Sequence, residues 1–278
     1  MYYRVWIRID RPNHVILNFL YHGELALPKN LKYIYILHSP STLIQNRYNF
    51  IKNNKNKFEN LTFIAVSDFV MENALFYVED RPLKLIHHGI DTNRITHKQN
   101  YKSEKVIKLV TASALEEWKG VQEIIYAICH PTLFGSFTLD IYGRGTFENQ
   151  LIKIISENNA GSIIKINGWI NNIEEVYCNY DIYCQMSQGE AFGLSLFEAM
   201  ASGLPSIVFD SPPFDKLIPS DCILKINPLL ANQLVDALKL LSTEKERKNL
   251  GEKARNFVKE YYSTAKMVNN YMDLICDQ

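Results

Sequence analysis

Neither sign of charge is in excess in this chain: Lys plus Arg number 30 and Asp plus Glu number 30 among 278 residues. A protein whose main partner is nucleic acid carries a basic surplus, so a nucleic-acid partner is not expected. Cysteine is sparse. The five residues Cys129, Cys178, Cys184, Cys222 and Cys276 are scattered, with no Cys-x-x-Cys pair and no His at zinc-site spacing. That pattern predicts reduced, mostly buried thiols in place of a disulfide framework or a metal site. No apolar run approaches the ~20 residues of a membrane span, and Met1–Val5 carries no signal-peptide pattern. A cytoplasmic protein without a transmembrane segment is expected. Asn60-Leu61-Thr62 matches a glycosylation sequon, read as chance without a secretion signal. Repeats and low-complexity segments are also missing.

What is present is core-forming material: 47% of residues are apolar, enough to bury a sizeable interior in one large or two modest domains. From Tyr3 to about Asp91, β-rich runs alternate with amphipathic stretches. Tyr33–Leu37 and Thr62–Val66 read as buried strands, each followed by polar residues suited to start a helix, His38-Ser39-Pro40 and Ser67-Asp68. Thr92–Lys105 is polar and aperiodic, and reads as an interdomain linker. The second half predicts strands at Val106–Thr111, Phe137–Tyr142, Ile163–Ile166, Asp181–Cys184 and Ser206–Phe209. Helices are expected from near Lys119, Thr146, Asn172 and Leu194. Such alternation favours a parallel sheet covered on both faces, with ligands bound beyond the strands' carboxyl ends. The tail is helical: Leu250, Ala254, Phe257, Val258 and Tyr261 share a stripe behind a capping box at Thr243 and Glu246. Met267, Tyr271, Met272 and Ile275 form another in a helix from near Ser263.

The most informative stretch runs from Gly189 to Pro205, GEAFGLSLFEAMASGLP. Physically it is a loop, a helix of about two and a half turns, Gly203 as C-cap, and Pro205 opening a strand. Gly193 lets a ligand approach the backbone where the helix starts, and the first-turn N–H groups with the helix dipole suit a pyrophosphate. Glu190 precedes the helix and Glu198 lies about one turn inside it. Carboxylates beside a diphosphate need other partners, and sugar hydroxyls are good donors to them.

This segment resembles the Glu-x7-Glu motif of retaining GT-B glycosyltransferases, specifically the large family 4 of nucleotide-sugar-dependent enzymes. Other pieces are similar in the same order: Leu115–Gly120 to that family's phosphate-binding Lys-Gly segment, and Ile141–Gly145 to its strand-to-helix glycine turn. Asn167–Ile170 resembles the strand end that contacts the base, Asp181–Tyr183 the short strand before the motif, and His88–Asp91 the junction closing the first domain. The likeness covers about Leu37 to Gly203. It implies a GT-B fold of two Rossmann-like α/β domains facing across a cleft. Residues 1–92 with a returning C-terminal helix, 263–278, would form the acceptor side, and residues 93–262 the nucleotide-sugar-binding domain.

Carried over by residue, the resemblance implies Lys119 on the diphosphate in place of a metal ion, and the sequence has no Asp-x-Asp pair. Glu190 would meet hexose hydroxyls, Glu198 the ribose, and Ile170 the base through its backbone. Phe192, Gly193 and Leu194 would present backbone to the sugar and phosphates, with Gly143 and Ser195 completing the donor set. His38 would reach the donor sugar. No cofactor or metal is expected. The partners are a nucleotide-sugar donor and a glycan acceptor, and the donor favoured is GDP-mannose over UDP-glucose or UDP-N-acetylglucosamine. Two departures stand out: Ser113-Ala114 replaces the family's Gly-Arg, and the first domain is short, without a glycine-rich loop after its first strand. Rival readings are a silent sugar-nucleotide binding module, a nucleotide-sugar epimerase or hydrolase, and, more distantly, a dehydrogenase, for which Gly143-x-Gly145 lacks the third glycine. Trp118 and Trp169 read as packing residues, and Arg47, Lys52, Lys55 and Lys57 as a solvated helix face.

Overall fold

The computed structural model describes residues 14–17, 31–39, 60–78, 81–227, 229–230 and 232–276. The expected helix face at Arg47–Lys57, and the helix start at Pro40, lie outside them. The chain divides into two units, Met1–His88 with Met267–Gln278, and Gly89–Lys266. Both are built on parallel sheets, an α/β architecture.

In the first unit, β1 (His14–Leu17), β2 (Lys32–Leu37), β3 (Leu61–Ala65) and β4 (Leu83–Leu85) pair in parallel in that order. β2 and β3 are apolar on both faces, and nearly every residue is buried, as strands sandwiched on both sides require. The Asn60 sequon runs directly into β3, where Leu61 and Thr62 are buried. Helix α1 (Asp68–Val78) follows β3. Ser67 Oγ accepts the Val70 N–H at 3.2 Å, an N-cap that satisfies one of the first-turn donors.

The second unit carries β5 (Ile107–Ala112), β6 (Phe137–Tyr142), β7 (Ile164–Gly168), β8 (Ile182–Gln185), β9 (Ser206–Phe209) and β10 (Leu224–Ile226). Their order is β10-β9-β8-β5-β6-β7, all pairs parallel. Counted within the unit this is the doubly wound order, whose direction reverses between β5 and β8. Helices α2 (Val121–Ile128), α3 (Glu148–Glu157), α4 (Leu194–Ser202), α5 (Phe214–Leu217), α6 (Gln233–Leu240) and α7 (Glu244–Tyr261) connect and follow the strands. α2 buries Val121, Ile124, Ile125, Ala127 and Ile128, and α3 buries Leu151, Ile154 and Ile155, in one core with Leu109, Leu139 and Ile182. No helix of the described residues is long and apolar enough to cross a membrane.

Several expectations need correction. Thr92–Lys105 has no regular structure apart from turns, yet it is no free tether. Lys98 Nζ donates to Tyr180 O at 2.6 Å and pairs with Asp181 at 3.4 Å, both side chains buried. The Tyr101 hydroxyl donates to Gly203 O at 2.8 Å, and the buried Arg247 guanidinium donates to Tyr101 O and Ser103 Oγ. The helix expected from Asn172 is two short 3-10 turns, Ile173–Glu175 and Tyr177–Asn179; Ile173, Val176, Tyr177 and Asn179 are weak helix formers. Thr243 makes no side-chain cap, and α7 starts with Glu244 and Glu246 against its dipole instead. Tyr261 is exposed at the end of the α7 stripe. In α8 (Thr264–Cys276), Met267, Tyr271 and Leu274 fall on one face and Leu274 is buried, whereas Met272, about 100° off Tyr271, is exposed. Of the cysteines, Cys184 and Cys222 are buried, Cys129 and Cys178 half-buried, and Cys276 exposed.

Candidate active site

The carboxyl ends of β5 and β8, where the strand order reverses, are locked together by backbone. After β5 a turn at Glu117–Lys119 ends on Gly120, in the left-handed region at φ +69°. A Cβ there would lie 2.0 Å from Met186 O, so glycine is required by the close passage of the chain leaving β8. Gln188 N donates to Trp118 O at 3.0 Å across the same junction.

This junction brings Lys119 and Glu190 together. Lys119 Nζ donates to Glu190 Oε1 at 2.5 Å, and each side chain is 13% exposed. The same oxygen accepts Gln185 Nε2 at 3.0 Å and Ser187 Oγ at 2.9 Å. Behind them the Tyr183 hydroxyl donates to Gln185 Oε1 at 2.9 Å, fixing the amide so that its NH₂ faces Glu190. The ammonium also sits over the Trp118 ring, 4.2 Å from its centroid.

Helix α4 starts beside this cluster in sequence. Its N-cap Gly193 has φ +92°, and a Cβ would meet the Phe214 ring at 2.7 Å. Phe192 is buried and stacked on Phe197 at 4.5 Å, so its ring belongs to the core. Leu194 is exposed and Ser195 half-buried in the first turn, whose leading N–H groups lack intrahelical acceptors.

A family model, glycosyl transferases group 1, matches residues 92–257. The chain belongs to this family. The group 1 chain is 40% identical over 111 residues to the UDP-N-acetylglucosamine–peptide N-acetylglucosaminyltransferase GtfA subunit of Limosilactobacillus reuteri subsp. suis, a match covering 40% of this chain and 22% of that one. It is 25% identical over 241 residues to the N-acetyl-alpha-D-glucosaminyl L-malate synthase of Bacillus anthracis, covering 85% and 58%. The crystal structure of TarM superposes with a TM-score of 0.79 at 19% identity, over 95% of this chain and 55% of that one. The chain thus spans well under two thirds of the length of these relatives.

Elsewhere in this group 1 chain, Glu198 lies half-buried in α4, its carboxyl pushed up to about 7 by burial and, secondarily, by the charge of Glu174. Gly143 (φ +141°) and Gly145 are glycines for a packing reason: a Cβ on either would strike Ser113 O at 1.8 Å or Leu115 O at 2.2 Å. Gly143 N donates to Gly168 O at 2.8 Å, joining the ends of β6 and β7, with half-buried Ile170 just beyond. His38, at the carboxyl end of β2 in the first unit, stacks on His88 with ring centroids 5.3 Å apart. Burial holds His38 below the usual imidazole range. Burial, then His38 and His87, brings His88 to about 4.

The structure therefore brings Lys119 and Glu190 into contact at the foot of α4, and within the first unit places His38 against His88. Trp118 and Trp169, expected to be packing residues, are 46% and 70% exposed. Sequence reasoning missed Gln185 and Ser187 under Glu190 and Glu174 near Glu198, and it gave no site role to Tyr183 and His88, which it read only as part of a strand and of a domain junction. Gln185 and Ser187 stand at and just beyond the end of β8, where the carboxyl-end rule for open sheets would have found them. Among the described residues no group of three or more His, Cys, Asp or Glu is arranged to hold a metal ion.

Proposed function

We propose that this group 1 chain is a hexosyltransferase that takes N-acetylglucosamine from UDP-N-acetylglucosamine and passes it, with retention, to a glycan or peptide hydroxyl. The observation that carries the reading is the Lys119–Glu190 pair at the switch point of the second sheet, next in sequence to the α4 N-terminus. An ammonium, oriented first-turn N–H groups and a hydroxyl-accepting carboxylate are the groups a sugar diphosphate needs. The donor named by the GtfA relative moves the expectation from GDP-mannose to a UDP-linked N-acetylhexosamine. The 93–262 region serves as the nucleotide-sugar domain and 1–92 with 263–278 as the acceptor side.

In this reading Lys119 leaves Glu190 for the diphosphate, supplying the positive charge without a metal ion. Glu190 keeps its bonds from Gln185 and Ser187 and accepts a sugar hydroxyl where the ammonium was. Glu198 takes the ribose, Ile170 the base, and Gly143, Phe192, Gly193, Leu194 and Ser195 line the donor. The sugar C1–oxygen bond to the diphosphate breaks and the acceptor oxygen bonds C1. The acceptor's proton ends on the departing diphosphate. Charge stabilisation of that leaving group by Lys119 and α4 lowers the barrier most, because it acts where charge grows.

Proton NMR of UDP-N-acetylglucosamine incubated with the protein, with water or added sugars as acceptor, tests this. Release of UDP with the α-anomer formed first is the expected result. The β-anomer first would overturn retention, turnover to another nucleotide sugar would favour an epimerase, and binding without UDP release would favour a silent module.

A further inference from the structure

Strand β6 alternates: Phe137, Leu139 and Ile141 are buried, while Thr138, Asp140 and Tyr142 are half-buried. Strands in a parallel sheet covered on both faces ordinarily read apolar on both, so a carboxylate within one calls for a cause. Asp140 accepts two hydrogen bonds, Asn167 Nδ2 to Oδ1 at 2.8 Å and the Tyr180 hydroxyl to Oδ2 at 2.8 Å. The Tyr142 hydroxyl lies 2.9 Å from that of Tyr180. Burial, with Tyr142 and Asp140 beside it, pushes the Tyr180 phenol up, keeping it a donor.

Asn167 is the inserted residue of a β-bulge. Ile141 lies opposite Ile166, but the next residue, Tyr142, lies opposite Gly168. A bulged residue drops out of the ladder and bends its strand, which re-aims the residues beyond it. Beyond Asn167 stand Gly168 at φ +72°, exposed Trp169 and half-buried Ile170. The ladder does not pin Asn167, but its side-chain bond to Asp140 does.

We propose that Asp140, held by Tyr180, is a positioning residue for the nucleobase of the donor: by gripping Asn167 it sets the bulge that presents Gly168, Trp169 and Ile170 to the base. This rests on the nucleotide-sugar reading above. The pyrophosphate groups, at Lys119 and α4, are carried by β5 and β8 and do not depend on the bulge. The two halves of the donor are therefore separable by substitution.

Titration calorimetry of the full chain with UDP and, separately, inorganic pyrophosphate tests it in the wild type, Asn167→Ala and Tyr180→Phe. Asn167→Ala should weaken UDP binding about tenfold, the scale of one hydrogen bond to a charged group, and leave pyrophosphate unchanged. Tyr180→Phe should do the same to a smaller extent, and it carries the comparison if Asn167→Ala does not fold. UDP affinity unchanged in both variants, or lost in step with pyrophosphate, overturns the inference and leaves the network a purely structural one. A wild type that binds pyrophosphate but not UDP also overturns it, while a wild type that binds neither overturns the underlying nucleotide-sugar reading as well.

Discussion

Lys119 and Glu190 share one short hydrogen bond, 2.5 Å, between two side chains that are each 13% exposed. The carboxylate does not depend on the lysine, since Gln185 and Ser187 donate to the same oxygen. Lys119→Ala should therefore fold with little change in melting temperature. Turnover should fall by about 10²–10³-fold, the cost of removing one donor to developing charge. Steady-state kinetics beside a thermal melt reads both quantities. A large drop in melting temperature with activity kept would mean that the lysine is structural.

The same pair predicts an opposite effect on product binding. Glu190→Gln removes the charge that competes with a diphosphate for the ammonium, so UDP should bind more tightly, by roughly fivefold for an ion pair worth about 1 kcal/mol. Turnover should still fall. Fluorescence or calorimetric titration with UDP checks it, and weaker UDP binding would show that Glu190 supports Lys119 instead of competing for it.

Glu198 gives the fold a specific pH dependence. Its carboxyl is raised from 4.5 to about 7, so between those values the native state binds more protons than the unfolded chain. This contribution to stability is fully present below pH 4.5 and is lost as pH rises through 7, on the order of 3 kcal/mol at the outside. Glu198→Gln should remove the slope. Urea unfolding of both proteins at pH 5 and pH 8 is the comparison, and equal slopes would contradict the raised value.

His88 acts with the reverse sign. Its folded value, about 4, lies below 6.5, so the unfolded chain binds more protons between pH 4 and 6.5. The stability associated with the neutral, buried ring is present above 6.5 and is lost as pH falls through 4. His88→Asn should flatten an acid-side loss that Glu198 partly masks in the wild type. Melting temperatures from pH 4 to 7 for the two single variants should diverge in opposite directions from the wild type.

Gly120→Ala tests the junction beneath the site. The residue is left-handed and a Cβ would sit 2.0 Å from Met186 O. The left-handed conformation alone costs about 1–2 kcal/mol in a non-glycine residue, and the 118–120 and 186–190 segments must also part. A lower melting temperature together with weaker donor binding is expected, whereas an unchanged melt would show the junction to be loose.

The sheets were legible because Tyr33–Leu37, Leu61–Ala65 and Phe137–Tyr142 are β-rich runs bounded by polar residues, and α4 because Gly193 and Gly203 bracket it. Lys119 and Glu190 stand out separately, through the Lys-Gly and Glu-x7-Glu resemblances. Their contact was not legible, since it depends on Gly120 passing under Met186, a pairing of segments more than sixty residues apart. The packing of Thr92–Lys105 was hidden for the same reason: Lys98 and Tyr101 look like solvated polar residues until Asp181, Gly203 and Arg247 arrive from elsewhere. Asn172–Asn179 misleads because its apolar residues mimic helical spacing while being poor helix formers.

The most direct test is calorimetric titration of UDP-N-acetylglucosamine into the wild-type protein and Lys119→Ala, with EDTA present. Saturable one-site binding to the wild type, weakened at least tenfold in Lys119→Ala, is the predicted result. No binding to the wild type, or equal binding to both, would contradict a donor site built on Lys119 at the junction of β5 and β8.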